Sequence, residues 1–199
     1  MLLRRTVAYS LFAASTMAII STTALADTID INLRDKSAQF QYKSSLGRDA
    51  LGKTEFHVGV LYVNTNNLLS DIGLLVKDEL GANVPGVSVG VGIKGVVARV
   101  KGNNSTTNNA SALALGGLVR YSPPAIQRLG VVGEVYLSPN IVTFGDADRY
   151  VETGVRVEYE VIPQAVVYLG YRRIAFGLKA QSSYAILDEG VNVGLRISF

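Results

Sequence analysis

The chain has no cysteine and a single histidine, His57. Without thiols there is no disulfide framework and no thiolate metal site, so stability has to come from packing or from hydrogen-bonded closure. One imidazole among scattered carboxylates also lacks the ligand spacing of a zinc centre. Charge is scarce as well, at 18% of residues against 48% apolar. Yet beyond Ala26 no segment reaches the roughly 20 apolar residues that a membrane-crossing helix requires. The apolar content therefore has to be held by something other than a helical span.

The N-terminus accounts for part of it. Arg4 and Arg5 precede an uncharged, largely apolar stretch from Val7 to Ile20, and Ala24-Leu25-Ala26 places small residues at a cleavage site. That is the pattern of a secretory signal peptide, with cleavage expected between Ala26 and Asp27. Ser10, Ser15 and Thr16 interrupt the run, which makes it too short and too polar for an anchor. The leader, residues 1–26, takes two of the 19 basic residues and no acidic one, leaving 17 against 16 in residues 27–199. So nearly neutral a domain is not expected to bind nucleic acid. Its 173 residues suit one domain.

Within that domain apolar residues recur at every second position, the period of a strand with two unlike faces. The C-terminus carries the clearest case: Val191, Val193, Leu195, Ile197 and Phe199 alternate with Asn192, Gly194, Arg196 and Ser198. Between Arg149 and Val161, Val151, Thr153, Val155, Val157, Tyr159 and Val161 oppose Glu152, Gly154, Arg156, Glu158 and Glu160. Weaker versions run through Phe56–Tyr62, Val87–Lys94, Ala112–Tyr121, Val131–Ser138 and Val167–Arg172. Turn formers separate the runs, among them Asn64–Asn67, Gly102–Asn109, Ser122-Pro123-Pro124, Ser138-Pro139-Asn140 and Gly145–Asp148.

This punctuation predicts strands at 28–34, 38–44, 54–64, 70–78, 87–101, 110–121, 129–138, 149–161, 165–175 and 190–199. Ten strands, or eight should the first pair lie apart from the sheet, form an antiparallel all-β transmembrane barrel with both termini in the periplasm. Polar segments at 102–109, 139–148 and 176–189 then become the external loops. A soluble sandwich also alternates, but here the polar faces carry both charge signs, including Glu55, Lys94 and Arg120. Glu134, Glu152, Arg156, Glu158, Arg172 and Arg196 are expected to meet as a charge network in a narrow lumen. Phe56, Tyr62, Tyr121, Tyr159, Tyr171 and Phe199, on the apolar face near strand ends, suit a membrane interface.

The ending, with Val191, Val193, Leu195, Ile197 and a terminal Phe199, resembles the signal by which outer-membrane barrels are handed to their assembly machinery. Together with Asp30-Ile-Asn-Leu33, Phe56-His-Val-Gly-Val-Leu-Tyr62 and Tyr168-Leu-Gly-Tyr-Arg172, it resembles the YfaZ family of predicted outer-membrane proteins across the whole exported domain. The resemblance implies a barrel in the outer membrane and transfers no catalytic residue.

The residues themselves offer little chemistry. His57 with Glu55 and a serine would be the raw material of a hydrolase, but no nucleophile motif accompanies them. Asp146 and Asp148 are too few for calcium, which takes six or more oxygens. Gly90, Gly92, Gly95, Gly116 and Gly117 lack the helix and lysine of a nucleotide loop. The expectation is thus a monomeric, non-enzymatic barrel without cofactors, in contact with outer-membrane lipid, lipopolysaccharide, periplasmic chaperones and the assembly machinery. Its role is structural or surface-interacting through external loops. A narrow pore for small solutes is the alternative, and a lipid- or peptide-processing enzyme a more distant one.

Overall fold

The computed structural model describes residues 27–50, 52–63, 67–81, 84–101, 107–126, 128–179 and 184–199. The expected leader, residues 1–26, and its Ala24-Leu25-Ala26 site lie outside them. The described chain is strand almost throughout: β1 (Asp27–Leu33), β2 (Ser37–Asp49), β3 (Gly52–Val63), β4 (Asn67–Glu79), β5 (Val87–Lys101), β6 (Thr107–Tyr121), β7 (Leu129–Ser138), β8 (Thr143–Gly145), β9 (Ala147–Ile162), β10 (Ala165–Leu178) and β11 (Tyr184–Ser198). A single 3-10 turn, Asn140–Val142, precedes β8.

Each strand pairs antiparallel with its neighbours, and the sheet closes on itself through β5 with β6 at one place and β1 with β11 at another. The three-residue β8 continues the path of β7 along β6, pairing Ala110–Ala112 where β7 leaves off at Leu115. The barrel therefore has ten strand positions, the first pair included. Among the described strands only the three-residue β8 pairs on one side alone, and closure of the rest is how a sheet satisfies its backbone groups without water. At the seam Thr28 lies opposite Ser198 and Leu33 opposite Val193. Beyond it the amide of Asp27 donates to the Phe199 carbonyl at 3.0 Å, and that of Phe199 to the Asp27 carbonyl at 2.9 Å.

Alternation places one face of each strand inside. Along β11, Val191, Val193, Ile197 and Phe199 are exposed on the outside, whereas Asn192 is buried. Two irregularities alter the expected element lengths. Ile174 pairs with Asp188 but Ala175 with Ile186, so Leu187 is an extra residue and both Leu187 and Asp188 turn inward. Asp148 is likewise an extra residue between Arg149, opposite Gly177, and Ala147, opposite Leu178. These bulges break the period-two pattern, and for that reason the sequence reads as loop where the strands continue. The expected loops at 139–148 and 176–189 are corrected accordingly. The first holds the 3-10 turn, β8 and the start of β9; the second shrinks to the link 179–183 between β10 and β11. Similarly, 45–53 is strand on either side of the link 50–51, and 107–109 belongs to β6.

The termini share one end of the barrel with the links 50–51, 80–86, 122–128 and 163–164. The opposite end, called the far end below, carries the links 34–36, 64–66, 102–106 and 179–183 together with the 3-10 turn. Among the described residues no helix is long and apolar enough to cross a membrane, a statement that does not bear on strands.

Candidate functional site: the barrel interior

The interior has two unlike halves, because inward positions change character along each strand. Toward the far end they are mainly apolar, with Ser37, Asn67, Ser138, Thr143 and Asp188 as buried polar exceptions. Leu61 and Val63 of β3, Leu69 of β4, Val96 and Ala98 of β5, and Ala110, Ala112 and Ala114 of β6 form one wall. Tyr150 of β9, Ile174, Phe176 and Leu178 of β10, and Leu187 of β11 fill the space against it. Alanines on β5 and β6 leave room, and the large rings opposite occupy it. Tyr150 and Phe176 are both buried, with ring centroids 4.9 Å apart. These side chains are packed against one another as in a soluble core.

Below this plug, toward the terminal end, the inward positions are polar and surround a cavity of about 650 Å³. Its lining runs from Asn32 and Arg172 at mid-barrel to Lys53, Gly86 and Ser122 at the terminal rim. The interior is thus a cup, floored by the apolar plug.

Three ion clusters occupy the cup and its floor. The largest joins charges from six strands. Arg156 reaches Glu134 at 2.9 Å and Glu158 at 2.8 Å, and Arg196 reaches Glu158 at 2.9 Å and Asp30 at 3.1 Å. Arg120 adds a third guanidinium to Glu158 at 3.0 Å, and Lys43 lies 3.4 Å from Asp30. Tyr168 donates to Asp30 at 2.5 Å and itself accepts from Asn32 at 3.1 Å. The Tyr168 ring lies over Gly194, where any Cβ would collide with it, so glycine is what lets the tyrosine cross the cup. Arg156 and Arg196 sit 5.7 and 5.8 Å from its centroid.

In the second cluster Lys94 pairs with Glu152 at 2.7 Å and lies 4.2 Å over the ring of Tyr136, while Tyr150 donates to the same carboxylate at 2.6 Å. In the third, Arg172 bonds Asp188 at 2.7 Å and also donates to Gln39, with Arg34 reaching the other oxygen of Asp188 at 3.2 Å. Each buried charge in these clusters has an opposite partner, the condition under which burial is tolerated.

The six charges expected to form one network are therefore divided. Glu134, Arg156, Glu158 and Arg196 are brought together; Glu152 belongs with Lys94, and Arg172 with Asp188. Asp30, Lys43 and Asp188 were not among the expected members. Asp188 is hidden by the bulge at Leu187, and Asp30 stands on a strand of seven residues whose pattern is too short to assert itself.

The remaining candidates fall as follows. His57 Nε2 faces Asp71 Oδ1 at 3.5 Å, with the His57 ring lying against Gly73. Glu55 is held by Lys77 at 2.6 Å and Lys53 at 3.3 Å. Asp146 accepts the backbone amide of Asn109 at 3.1 Å, and Asp148 lies 3.4 Å from Arg149. Among the described residues no group of three or more His, Asp or Glu gathers as a metal site. Val191, Val193, Leu195, Ile197 and Phe199 all project outward from the closing strand.

A family model described as "YfaZ precursor" matches residues 12–199. No curated protein matches the chain. Among solved structures, a chain described under "Unveiling the Mechanism Behind the in-meso Crystallization of Membrane Proteins" is similar at 12% identity and a TM-score of 0.46, over 88% of this chain and 83% of that one. A NanC porin structure in a rhombohedral crystal form is similar at 13% identity and a TM-score of 0.42, over 88% of this chain and 99% of that one.

Proposed function

The chain belongs to the YfaZ family, and from that premise we propose that it is an exported, monomeric outer-membrane barrel that seals rather than conducts. Its role is structural or interactive rather than enzymatic. The observation that carries this reading is the apolar plug around Tyr150 and Phe176, which fills the far half of the lumen with packed side chains.

The outer surface supports the membrane setting. On β11 the apolar face runs from Val191 to Phe199. Nine residues at about 3.4 Å each, tilted by about 40°, cover roughly 20–23 Å, close to the apolar band of a transmembrane barrel. Exposed aromatics mark both ends of this band: Tyr62 and Tyr171 toward the far end, Tyr121, Tyr159 and Phe199 toward the terminal end. Beyond Tyr171 polar groups join the surface, with Tyr171 donating to Glu189 at 2.7 Å and Arg173 lying 3.9 Å from the same carboxylate, beside the exposed Ile186 and Tyr184.

With the termini in the periplasm, the cup opens inward to that compartment and the plugged end faces the exterior. The far-end links are too short to form extended binding loops, and this favours a structural role and contact with lipopolysaccharide at the polar collar over recognition by long loops. Lipid, periplasmic chaperones and the barrel assembly machinery are the expected partners. The test is fractionation with intact-mass analysis. A chain beginning at Asp27, recovered with the outer membrane and running as a heat-modifiable band, is expected. Recovery as a soluble periplasmic protein would overturn the reading.

A further inference from the structure

The ion pairs of the cup are not symmetric in what they present to it. In most of them the cation is the more exposed partner, Arg156 with Glu134 (17% against 22%) being the reverse. The side chain of Arg120 is 37% exposed against 1% for its partner Glu158, and Lys43 is 25% exposed against 7% for Asp30. Lys53 and Lys77 are each 36% exposed and share one carboxylate, Glu55, at 15%. Several carboxylates are also oversubscribed. Glu158 serves three guanidiniums, those of Arg120, Arg156 and Arg196, and Glu55 serves two ammonium groups. Glu134, the most exposed acid of the main cluster at 22%, is held by Arg156.

All of these residues line the same cavity, whose volume of about 650 Å³ lies within the range of small-molecule sites. Asp78, Glu79 and Glu160 also line the cavity, so the excess of positive charge is local, at Lys53 and Lys77 on Glu55 and at Arg120, Arg156 and Arg196 on Glu158, and such a local excess attracts an anion. A buried carboxylate that already satisfies several cations leaves them with unused donors, and charge-assisted hydrogen bonds to a phosphate or carboxylate oxygen are the strongest use of such donors. We infer that the cup is a binding site for a small anionic molecule bearing a phosphate or carboxylate group, entering from the terminal end. The inference goes beyond the sealing role and is read by binding rather than by current, so the two fail separately.

The test is isothermal titration of the exported form in detergent with glucose 6-phosphate, glucuronate and glucose at low salt. Saturable binding of at least one anion and none of glucose is expected, and which anion binds identifies the group recognised. Raising the salt tenfold should weaken that binding by tenfold or more. The Lys53→Gln/Arg120→Gln double variant, which leaves Glu55 and Glu158 each with a cation, should lose at least tenfold in affinity, whereas Arg149→Gln, outside the cavity near the far end, should bind as the unmodified protein does. Where the double variant fails to give a heat-modifiable band, competition by pyrophosphate on the unmodified protein decides: displacement upholds the site, and its absence refutes it. The absence of saturable binding by either anion, or glucose binding as tightly as they do, overturns the proposal.

Discussion

Phe176 of β10 and Tyr150 of β9 occupy directly opposed positions on neighbouring strands and meet inside the barrel with their rings tilted by 54°. Neither is accessible to solvent, and Tyr150 also donates to Glu152, so this pair joins the apolar plug to the Lys94 cluster beneath it. Replacing Phe176 by alanine removes packing that the strands cannot close over, because their spacing is set by the backbone ladder. A loss of about 3–5 kcal/mol is expected, in the range of buried Phe→Ala changes. Urea unfolding from lipid vesicles measures it, and a change below about 1 kcal/mol would mean that the plug is not packed.

The third ion cluster makes an ordered prediction. Asp188 is held by both Arg172 and Arg34, whereas Arg172 has Asp188 as its only charged partner among the described residues. Asp188→Ala should therefore be more damaging than Arg172→Ala. The first strands a buried guanidinium, at a cost of about 3–5 kcal/mol; the second leaves Asp188 with one cation still in reach. The same unfolding assay ranks the two, and equal losses would count against the pairing.

Phe199 lies outside the barrel and is well exposed, yet its backbone exchanges two hydrogen bonds with Asp27 at the seam. Its removal costs little side-chain packing. If the C-terminal residues act as an assembly signal, deletion of Phe199 should lower the folded yield in cells severalfold, as read by heat-modifiable migration. Refolding of the purified protein into detergent should change much less. An equal deficit in both settings would assign Phe199 a structural role instead.

The membrane-facing surface is tested by depth. Leu169, exposed on β10 within the apolar band, should cost about 2–4 kcal/mol when replaced by arginine. Tyr184, at the far-end start of β11 and beyond Glu189, should tolerate the same change at about 0–1 kcal/mol. Equal costs in vesicles would contradict the proposed placement of the band.

The outward face was the legible part of this chain. Val155, Val157 and Tyr159, or Val191, Val193, Leu195, Ile197 and Phe199, are exposed on the outer surface and alternate with polar or small residues in the sequence, so the period alone identifies strand and side. The inward face was legible only where it is charged. On β3 the contrast between the faces fades toward the far end, where Leu61 and Val63 look inward while Val60 and Tyr62 look outward, so the alternation there does not say which side is inside. Ala112 and Ala114 likewise pass for a small face, when they make the wall on which the plug packs. The bulge at Leu187 inverts the register, which conceals Asp188 and the first residues of β11. Charge pairing depends on which strands adjoin across the barrel and on side-chain reach, and neither is a property of one strand's pattern. Glu152 and Arg172 were thus recognisable as lumen residues, but not as members of separate clusters.

The sealed lumen is the central claim, and current through a planar bilayer tests it most directly. The unmodified protein should give no steady single-channel conductance if the lumen is sealed, as proposed, by the side chains packed around Tyr150 and Phe176. The Tyr150→Ala/Phe176→Ala double variant, if it retains a heat-modifiable band, should begin to conduct. Steady ohmic currents from the unmodified protein would contradict the account, since the charges of the cup would then line an open passage.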